Sequence, residues 1–487
     1  MLSMREAVRC WPSEMRVELD WIKTDRVLAD AFGPSVYIVG GPVRDKLRSL
    51  FHGDQFDPKD RDYVIVGHSI DEIRAKLGER ARIDAVGASF GVLKVTVPDE
   101  ATVDVALPRR ERSTGSGHRD FEVQSGPDVT IEEDQARRDF LMNALGVQLI
   151  SGELVAHAGA IEDVRHKRIT AINGRRSFVD DPLRMLRAAQ FSARFGFQVE
   201  DETRRHMLAS ASLIANVSPE RISEELGKML VKSARPSEGI RILHDVNLLA
   251  AVIPGLEEGA GVEQNDFHAH DVLQHNLAAL DASRSKLEAR WAALLHDIGK
   301  PRARSRDKTS YGYTFHGHER VGADMSRQIL TNLRLPNALV DRVSRLVANH
   351  MYVADPAQSD SAIKRLINRA GLDLLEEQFH LRRADKIASG LPQGRNLERN
   401  EQFERRVYDL LAARPALAIR DLAVDGRDVM RAMIDAGVRP PGFQPGPEVG
   451  SILRDLLDRV IDAPELDTRD ALKGEMIAII HRMKGGA

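Results

Sequence analysis

Cysteine is nearly absent: the chain has one, Cys10, among 487 residues. A single thiol cannot close an intramolecular disulfide, so burial must hold the fold, and the sequence suits a reducing compartment. No apolar run approaches the ~18 residues of a membrane span, and the first residues lack the apolar core of a secretory signal. The expectation is a cytoplasmic protein with no membrane partner. An excess of one charge is also missing. At a net charge of −3 the chain carries no bulk positive field, so any nucleic-acid contact must come from a local patch. Arginine outnumbers lysine 55 to 15, but the bias runs along the whole chain and marks no patch.

What is present begins with YIVGGPVRDKL, followed after a loop by KDRDYVIVG. Tyr37-Ile38-Val39 reads as a short buried strand. Gly40-Gly41 leaves backbone N–H groups open to a phosphate because no Cβ intervenes. Pro42 suits the start of a helix, whose N-terminus favours an anion. Asp60 and Asp62 are two apart, so on a strand they share a face, roughly 6–7 Å apart at Cα. Such a pair can hold one or two Mg²⁺ by oxygen ligation. Alone, a Gly-Gly is a turn and a D-x-D a solvated strand end. In this order, the two supply the parts of a nucleotidyl-transfer site.

Strand-like runs at 36–39, 62–67, 91–97 and 102–107 alternate with helical ones. Asp104, in the alternating TVDVALP, is a candidate third acid, against the plain reading of an exposed strand residue. RRERSTGSGHRDF after it is too polar to bury and is expected to be a mobile loop around 111–121. RRDFLMNAL (137–145) is expected to be helical, with Asp139 and Asn143 on one face. There Asn143 can reach a ribose hydroxyl, Asp139 can hold Asn143 or the sugar, and Arg138 suits a triphosphate. DDPLRMLRAAQF (180–191) predicts a helix with Asp181 as N-cap and Pro182 first. Asp181 and Arg184, with Arg187 beside them, can read a base edge. Asp accepts from an exocyclic amine and Arg donates to the ring nitrogen, a pair that cytosine and adenine offer and uracil and guanine reverse. A capped helix with an Asp–Arg pair is the plain alternative.

GGPVRD, KDRD, RRDFLMNA and DDPLRMLRAAQFSARFGF, in this order, resemble the class II tRNA nucleotidyltransferases, the CCA-adding enzymes, and are similar also to bacterial poly(A) polymerases. The motifs span roughly residues 36–260. The resemblance implies catalytic metals on Asp60 and Asp62, a metal-assisting acid at Asp104, and triphosphate contacts from Gly40, Gly41, Arg44 and Arg138. It also implies an amino-acid template for the incoming base at Asp181 and Arg184. Two positions depart from the family pattern: Asp180, where Glu is usual, and Gln190, where a further Arg often stands.

Seven of the sixteen histidines fall between 268 and 350. His275, His296-Asp297 in WAALLHDIGK, His318, His350 and Asp385 form a spaced series. Imidazoles suit transition metals, and a carboxylate between them suits a pair of divalent ions. The series resembles the HD phosphohydrolases. That implies one metal on His275, His296, Asp297 and Asp385, and His318 and His350 on a second metal or the phosphate, with Lys300 on phosphate. The ion is expected to be Mn²⁺, Ni²⁺ or a similar transition metal. A structural HD fold is the bland alternative.

The expected fold is α+β: an N-terminal extension (1–35), a mixed-sheet nucleotidyltransferase head (36–170), a helical neck and body (171–260), a helical HD domain (261–395) and a helical tail (396–487). GLEEGAG at 255–261 is expected to be a linker, and the prolines of 440–447 to split the tail. The implied partners are tRNA, CTP and ATP, with no DNA. The expected activity is addition of C, C and A to tRNA, with phosphohydrolysis at the HD site. The alternatives are a poly(A) polymerase, or a CC-only or A-only enzyme with a structural, RNA-binding HD domain.

Overall fold

The structure, a computed structural model, describes residues 15–18, 20–55, 61–85, 91–113, 121–264, 269–306, 312–390 and 394–485. Asp60 lies outside them, as do Cys10 and residues 114–120, most of the stretch expected to be a mobile loop. The chain divides into two compact units, 1–252 and 253–487.

The first unit is built on β1 (Val36–Val39), β2 (Asp62–Ile65), β3 (Arg82–Ala85), β4 (Val92–Thr96), β5 (Val103–Ala106), β6 (Arg109–Ser113), β7 (Phe121–Ser125), β8 (Leu145–Gln148) and β9 (Leu154–Ala156). Seven of these form one mixed sheet in the order β3-β4-β5-β2-β1-β8-β9. Only β2 and β5 run parallel in it, and their register sets Asp62 opposite Asp104. All four expected strand runs are present. Val36, Ile38 and Val39 of β1 are buried, as an apolar strand with neighbours on both sides requires.

Around the sheet lie α1 (Lys23–Phe32), α2 (Gly41–His52), α3 (Ile70–Leu77), α4 (Ile131–Ala136) and α5 (Ala160–Arg165). There follow α6 (Arg175–Asp180), α7 (Leu183–Phe195), α8 (Asp201–Ser210), α9 (Pro219–Lys232), α10 (Pro236–Asp245) and α11 (Leu249–Val252).

Four expectations for this unit are corrected. Residues 137–145 are not an α-helix: after Phe140, which bridges Ala171, only Leu141–Asn143 make a 3₁₀ turn before β8. The Asp139 carboxylate accepts from Phe140 N at 2.8 Å and Asn143 Nδ2 at 2.9 Å, local bonds that compete with helix propagation. The polar stretch after β5 is a hairpin of β6 and β7, not a loop from 109 onward. Helix α7 starts at Leu183, one residue later than expected, so Pro182 and not Asp181 is the N-cap; Asp181 stands before it and its Oδ1 accepts from Leu183 N at 3.2 Å. Finally, α1 falls in the stretch expected to be an extension outside the head, yet it is part of the head: Thr24, Asp25 and Leu28 are fully buried there.

The second unit comprises α12 (Pro254–Glu257), α13 (Val272–Ala282), α14 (Leu287–Leu295), α15 (Lys300–Ala303), α16 (His318–Asn332), α17 (Asn337–Asn349), α18 (Asp360–Ala370) and α19 (Leu375–Ala388). It ends in α20 (Gly394–Ala412), α21 (Gly426–Asp435), α22 (Pro447–Asp462) and α23 (Arg469–Gly485). The stretch 255–261 is not a loose linker. A Cβ on Gly255 would stand 2.7 Å from the Met325 methyl and 3.3 Å from Ile298, so this segment is packed. The proline-rich segment does separate α21 from α22, and those two with α23 enclose Val429, Met433, Leu456, Leu472 and Ile480. Among the described residues no helix is long and apolar enough to cross a membrane.

Candidate functional site

In the first unit, β1 runs into Gly40, whose φ of +71° turns the chain into α2; contrary to expectation the Gly40 N–H is not open to a phosphate, because it donates to Leu145 O at 2.9 Å. A Cβ at Gly40 would lie 2.5 Å from Nη1 of Arg138, so no other residue fits without displacing that arginine. The N-terminus of α2 then opens on a cavity of ≈ 530 Å³ lined by Gly40, Gly41 and Asp62 together with Asp181, Arg184 and Arg187 of the α7 region. Seven arginines and four aspartates line it, so a chain of net charge −3 presents a locally positive space. A helix N-terminus and surplus guanidinium charge together favour a polyphosphate.

The arginines are held in fixed directions. Asp134, which motif reading missed, is buried and accepts from Arg137 Nη2 at 2.6 Å and Arg138 Nη2 at 3.0 Å. Burial alone would raise its pKa, but the two guanidinium groups bring it below the usual carboxylate value. Arg44 gives Nη1 to Asn143 Oδ1 at 2.6 Å and lies over the Phe195 ring, 4.3 Å from its centroid. Asn143 in turn donates to Asp139, so both ends of the amide are bonded inside the protein and its place is that of a link between motifs. Arg187 closes the chain on Asp139 at 2.7 Å. Burial would raise the Asp139 pKa, yet Arg187 and Asn143 hold it low.

Asp181 and Arg184 face the same cavity but do not pair with each other. Arg184 Nη2 donates to Arg137 O at 2.9 Å, and Asp181 Oδ2 accepts from Arg221 Nη2 of α9 at 3.0 Å. Arg221 and Arg194 also line the cavity. Arg194 lies in the DDPLRMLRAAQFSARFGF motif but was not singled out there; Arg221 has no local sequence signal, because it reaches Asp181 from forty residues away.

Asp62 is exposed at the head of β2, and Asp104 stands beside it on β5, half exposed and bonded by Lys94 Nζ at 2.7 Å. Carboxylate oxygens on neighbouring strands, open to solvent and already drawing a cation, fit a hard divalent ion.

In the second unit the histidine series converges. His275 on α13, His296-Asp297 after α14, His318 opening α16, His350 after α17 and Asp385 on α19 meet in the interior; the four histidines and Asp297 are each at most 5 % exposed. Asp297 is shared: Oδ2 lies 3.3 Å from both His275 and His296 Nε2, and Oδ1 3.1 Å from His318 and 3.5 Å from His350 Nε2. His275, His296 and Asp297 thus form one three-ligand group, and Asp297, His318 and His350 another. Asp385 Oδ1 approaches the first at 3.1 Å from His275.

Nδ1 of His296, His318 and His350 each bonds the carbonyl three residues back, at 2.9, 2.7 and 2.6 Å, which aims Nε2 at the centre. Facing Nε2 atoms then lie 3.1 Å apart (His275 and His296) and 3.2 Å apart (His318 and His350). Two imidazole lone pairs so close repel unless a proton or a cation lies between them. Burial would lower the His296 pKa, but Asp297 and Asp385 push it up to about 10, so the carboxylates favour a positive charge at this centre. The set fits a transition metal. Lys300 Nζ sits 2.6 Å from Asp297. Gly299 permits α16 to approach closely, because a Cβ there would lie 2.2 Å from His318 O and 2.6 Å from Gly322 N.

Comparison with known proteins gives a consistent picture. Residues 36–170 match the poly(A) polymerase head domain, 196–259 the "Probable RNA and SrmB-binding site of polymerase A", and 271–390 the HD domain. The A-adding tRNA nucleotidyltransferase of Deinococcus radiodurans is 32 % identical over 88 % of this chain and 92 % of its own length. The multifunctional CCA protein of Stenotrophomonas maltophilia is 34 % identical over 72 % of this chain and 83 % of its own. Among solved structures, the Bacillus stearothermophilus CCA-adding enzyme in complex with CTP aligns with a TM-score of 0.67 at 22 % identity, covering 96 % of this chain and 98 % of that one, a likeness of fold.

Proposed function

Because the chain belongs to the tRNA nucleotidyltransferase family, with a poly(A)-polymerase-type head and an HD domain, we propose that it adds C, C and A to the 3′ end of tRNA from CTP and ATP. The observation that carries this reading is the shared cavity. The α2 N-terminus, Asp62, Asp181 and Arg184 open on one positive space, so polyphosphate, metal-binding acid and base-reading pair are within reach of one nucleotide.

The tRNA 3′-oxygen forms the new bond to the α-phosphorus, and the bond to the departing pyrophosphate breaks. Gly40 and Gly41 present the helix end to the triphosphate. Arg138, aligned by Asp134, neutralises it, and Arg44, fixed by Asn143 and Phe195, keeps the turn in place. Asp181 accepts from the exocyclic amine of C or A while Arg184 donates to the ring nitrogen. Mg²⁺ held by Asp60, Asp62 and Asp104 would supply the charge that offsets the developing oxyanions. Extension of a tRNA lacking its CCA, read by product length, tests this. The A-adding relative, matched over 88 % of the chain, favours a second reading, addition of the terminal A alone. A single A added only to a tRNA ending in CC identifies it.

At the HD site we propose hydrolysis of phosphate esters such as 2′,3′-cyclic phosphates at RNA ends, with Mn²⁺ or Ni²⁺ held by His275, His296, Asp297 and Asp385 and by His318 and His350. The two ligand groups sharing Asp297, with Lys300 beside them, support it. Hydrolysis that survives Asp62→Ala and is lost in His296→Ala is the expected result. Loss in the first and survival in the second would refute it.

A further inference from the structure

Asp62 is followed by Tyr63 and preceded by Arg61, and strand alternation puts both neighbours on the face opposite Asp62. On that face both are buried, Arg61 3 % and Tyr63 1 % exposed. Beneath them lies Asp25 of α1, with no exposed surface. Its Oδ1 accepts from Tyr63 Oη at 2.7 Å, and its Oδ2 accepts from Ile22 N at 2.8 Å and lies 3.8 Å from Arg61 Nε. Arg61 Nη2 donates to Asp20 O at 2.8 Å, while Nε and Nη1 have no hydrogen-bond partner. The Asp25 charge is therefore what compensates a buried guanidinium. A cation beside a metal-binding carboxylate would repel the ion if it faced the same way. Here it is drawn to the other side of the strand.

The same helix end reaches the second acid-bearing strand. The turn between β4 and β5 carries Glu100, whose carboxylate accepts from Lys23 N at 2.6 Å and Thr24 N at 2.8 Å, and from the Thr24 hydroxyl. Lys23 Nζ also donates to Pro98 O at 2.9 Å. Four residues after Glu100 comes Asp104, in register with Asp62. One turn of helix thus holds β2 through Asp25 and the start of β5 through Glu100.

We propose that α1 is a clamp on the two acid-bearing strands: Asp25 with Arg61 and Tyr63, and Thr24 with Glu100, set how Asp62 and Asp104 stand to each other and hence how tightly the head holds its divalent ion. These are positioning residues, and the proposal rests on the head's reading as a metal-dependent nucleotidyltransferase. Residues that orient metal ligands from behind are worth about 10–100-fold in affinity.

The test is Fe²⁺-mediated hydroxyl-radical cleavage, which cuts the backbone beside a bound divalent ion and so separates the head from the HD site by fragment size. Competition with Mg²⁺, at Fe²⁺ held well below its own Kd, gives the Mg²⁺ affinity at each. The variants are Asp25→Leu/Arg61→Leu, which removes the buried charges together and restores packing where either single change leaves one unpaired, and Glu100→Gln, which alters an accessible carboxylate. The expected result is that the folded double variant needs about tenfold more Mg²⁺ to suppress head cleavage, Glu100→Gln a few-fold more, and HD cleavage is unchanged in both. Wild-type Mg²⁺ competition in the double variant overturns the clamp; if that variant does not fold, wild-type competition in Glu100→Gln does so. Asp62→Ala separates the premises: head cleavage undiminished there would overturn the metal reading of the head and the clamp with it.

Discussion

Arg187 of α7 grips Asp139 with both Nε and Nη2, at 2.8 and 2.7 Å, and so ties the helix that would read the base to the turn that organises the phosphate arginines. From Asp139 the connection passes through Asn143 to Arg44 at the start of α2. Arg187→Ala leaves a buried carboxylate without its ion pair, a loss of about 1–3 kcal/mol, visible as a lower Tm. It should also raise the KM for both CTP and ATP, because the slack is transmitted to Arg44. Steady-state kinetics beside thermal unfolding checks both.

Asp134 gives the head an acid limit. Its carboxyl, folded, titrates below the ordinary value of 3.8 because Arg138 and Arg137 more than offset the effect of burial. A group depressed on folding contributes stability that is complete above its unfolded pKa and is lost as pH falls through the folded one. Asp134→Asn should therefore lie below wild type in Tm at pH 7, and the gap should narrow between about pH 5 and pH 2. A gap that stays constant through that range would show that the pair does not carry the difference.

Asp181→Ala or Arg184→Ala should relax nucleotide choice more than it slows incorporation. A bidentate base contact is worth about 1–3 kcal/mol of discrimination, so misincorporation of UTP or GTP should rise about ten- to a hundredfold. Competition between CTP and UTP in one reaction reads this directly. Unchanged selectivity in both variants would remove the template role.

The two sites are expected to separate under substitution. His296→Ala takes a ligand from the group around Asp297 and should abolish phosphate-ester hydrolysis while leaving tRNA extension within a few-fold of wild type. Chelation followed by Ni²⁺ or Mn²⁺ should restore hydrolysis in the wild type and not in the variant.

Much of this was legible in the sequence where one short segment carries its own signal. The apolar run of β1, the Gly40 turn and the Asp62 strand are local in this sense, and the six-member His/Asp series survives its long gaps because each member is chemically distinctive. The 137–145 segment misled because Asp139 and Asn143 satisfy each other by side chain, which a helical periodicity cannot show. Arg221 was invisible for another reason: it meets Asp181 from forty residues away, through the packing of α9 and not by spacing. Asp134 was within reach of spacing, since Arg137 and Arg138 stand three and four residues on, but its burial was not. The hairpin of β6 and β7 was hidden by its polar composition, since its ladder is a matter of backbone hydrogen bonds.

The most direct measurement is single-turnover extension of a tRNA that ends before its CCA, given CTP and ATP separately and together and resolved to one nucleotide. The account predicts two residues added with CTP alone, three with both, then a stop, and none of these in Asp62→Ala. Long A tracts with ATP alone, or no extension of the tRNA by the wild type, would contradict it.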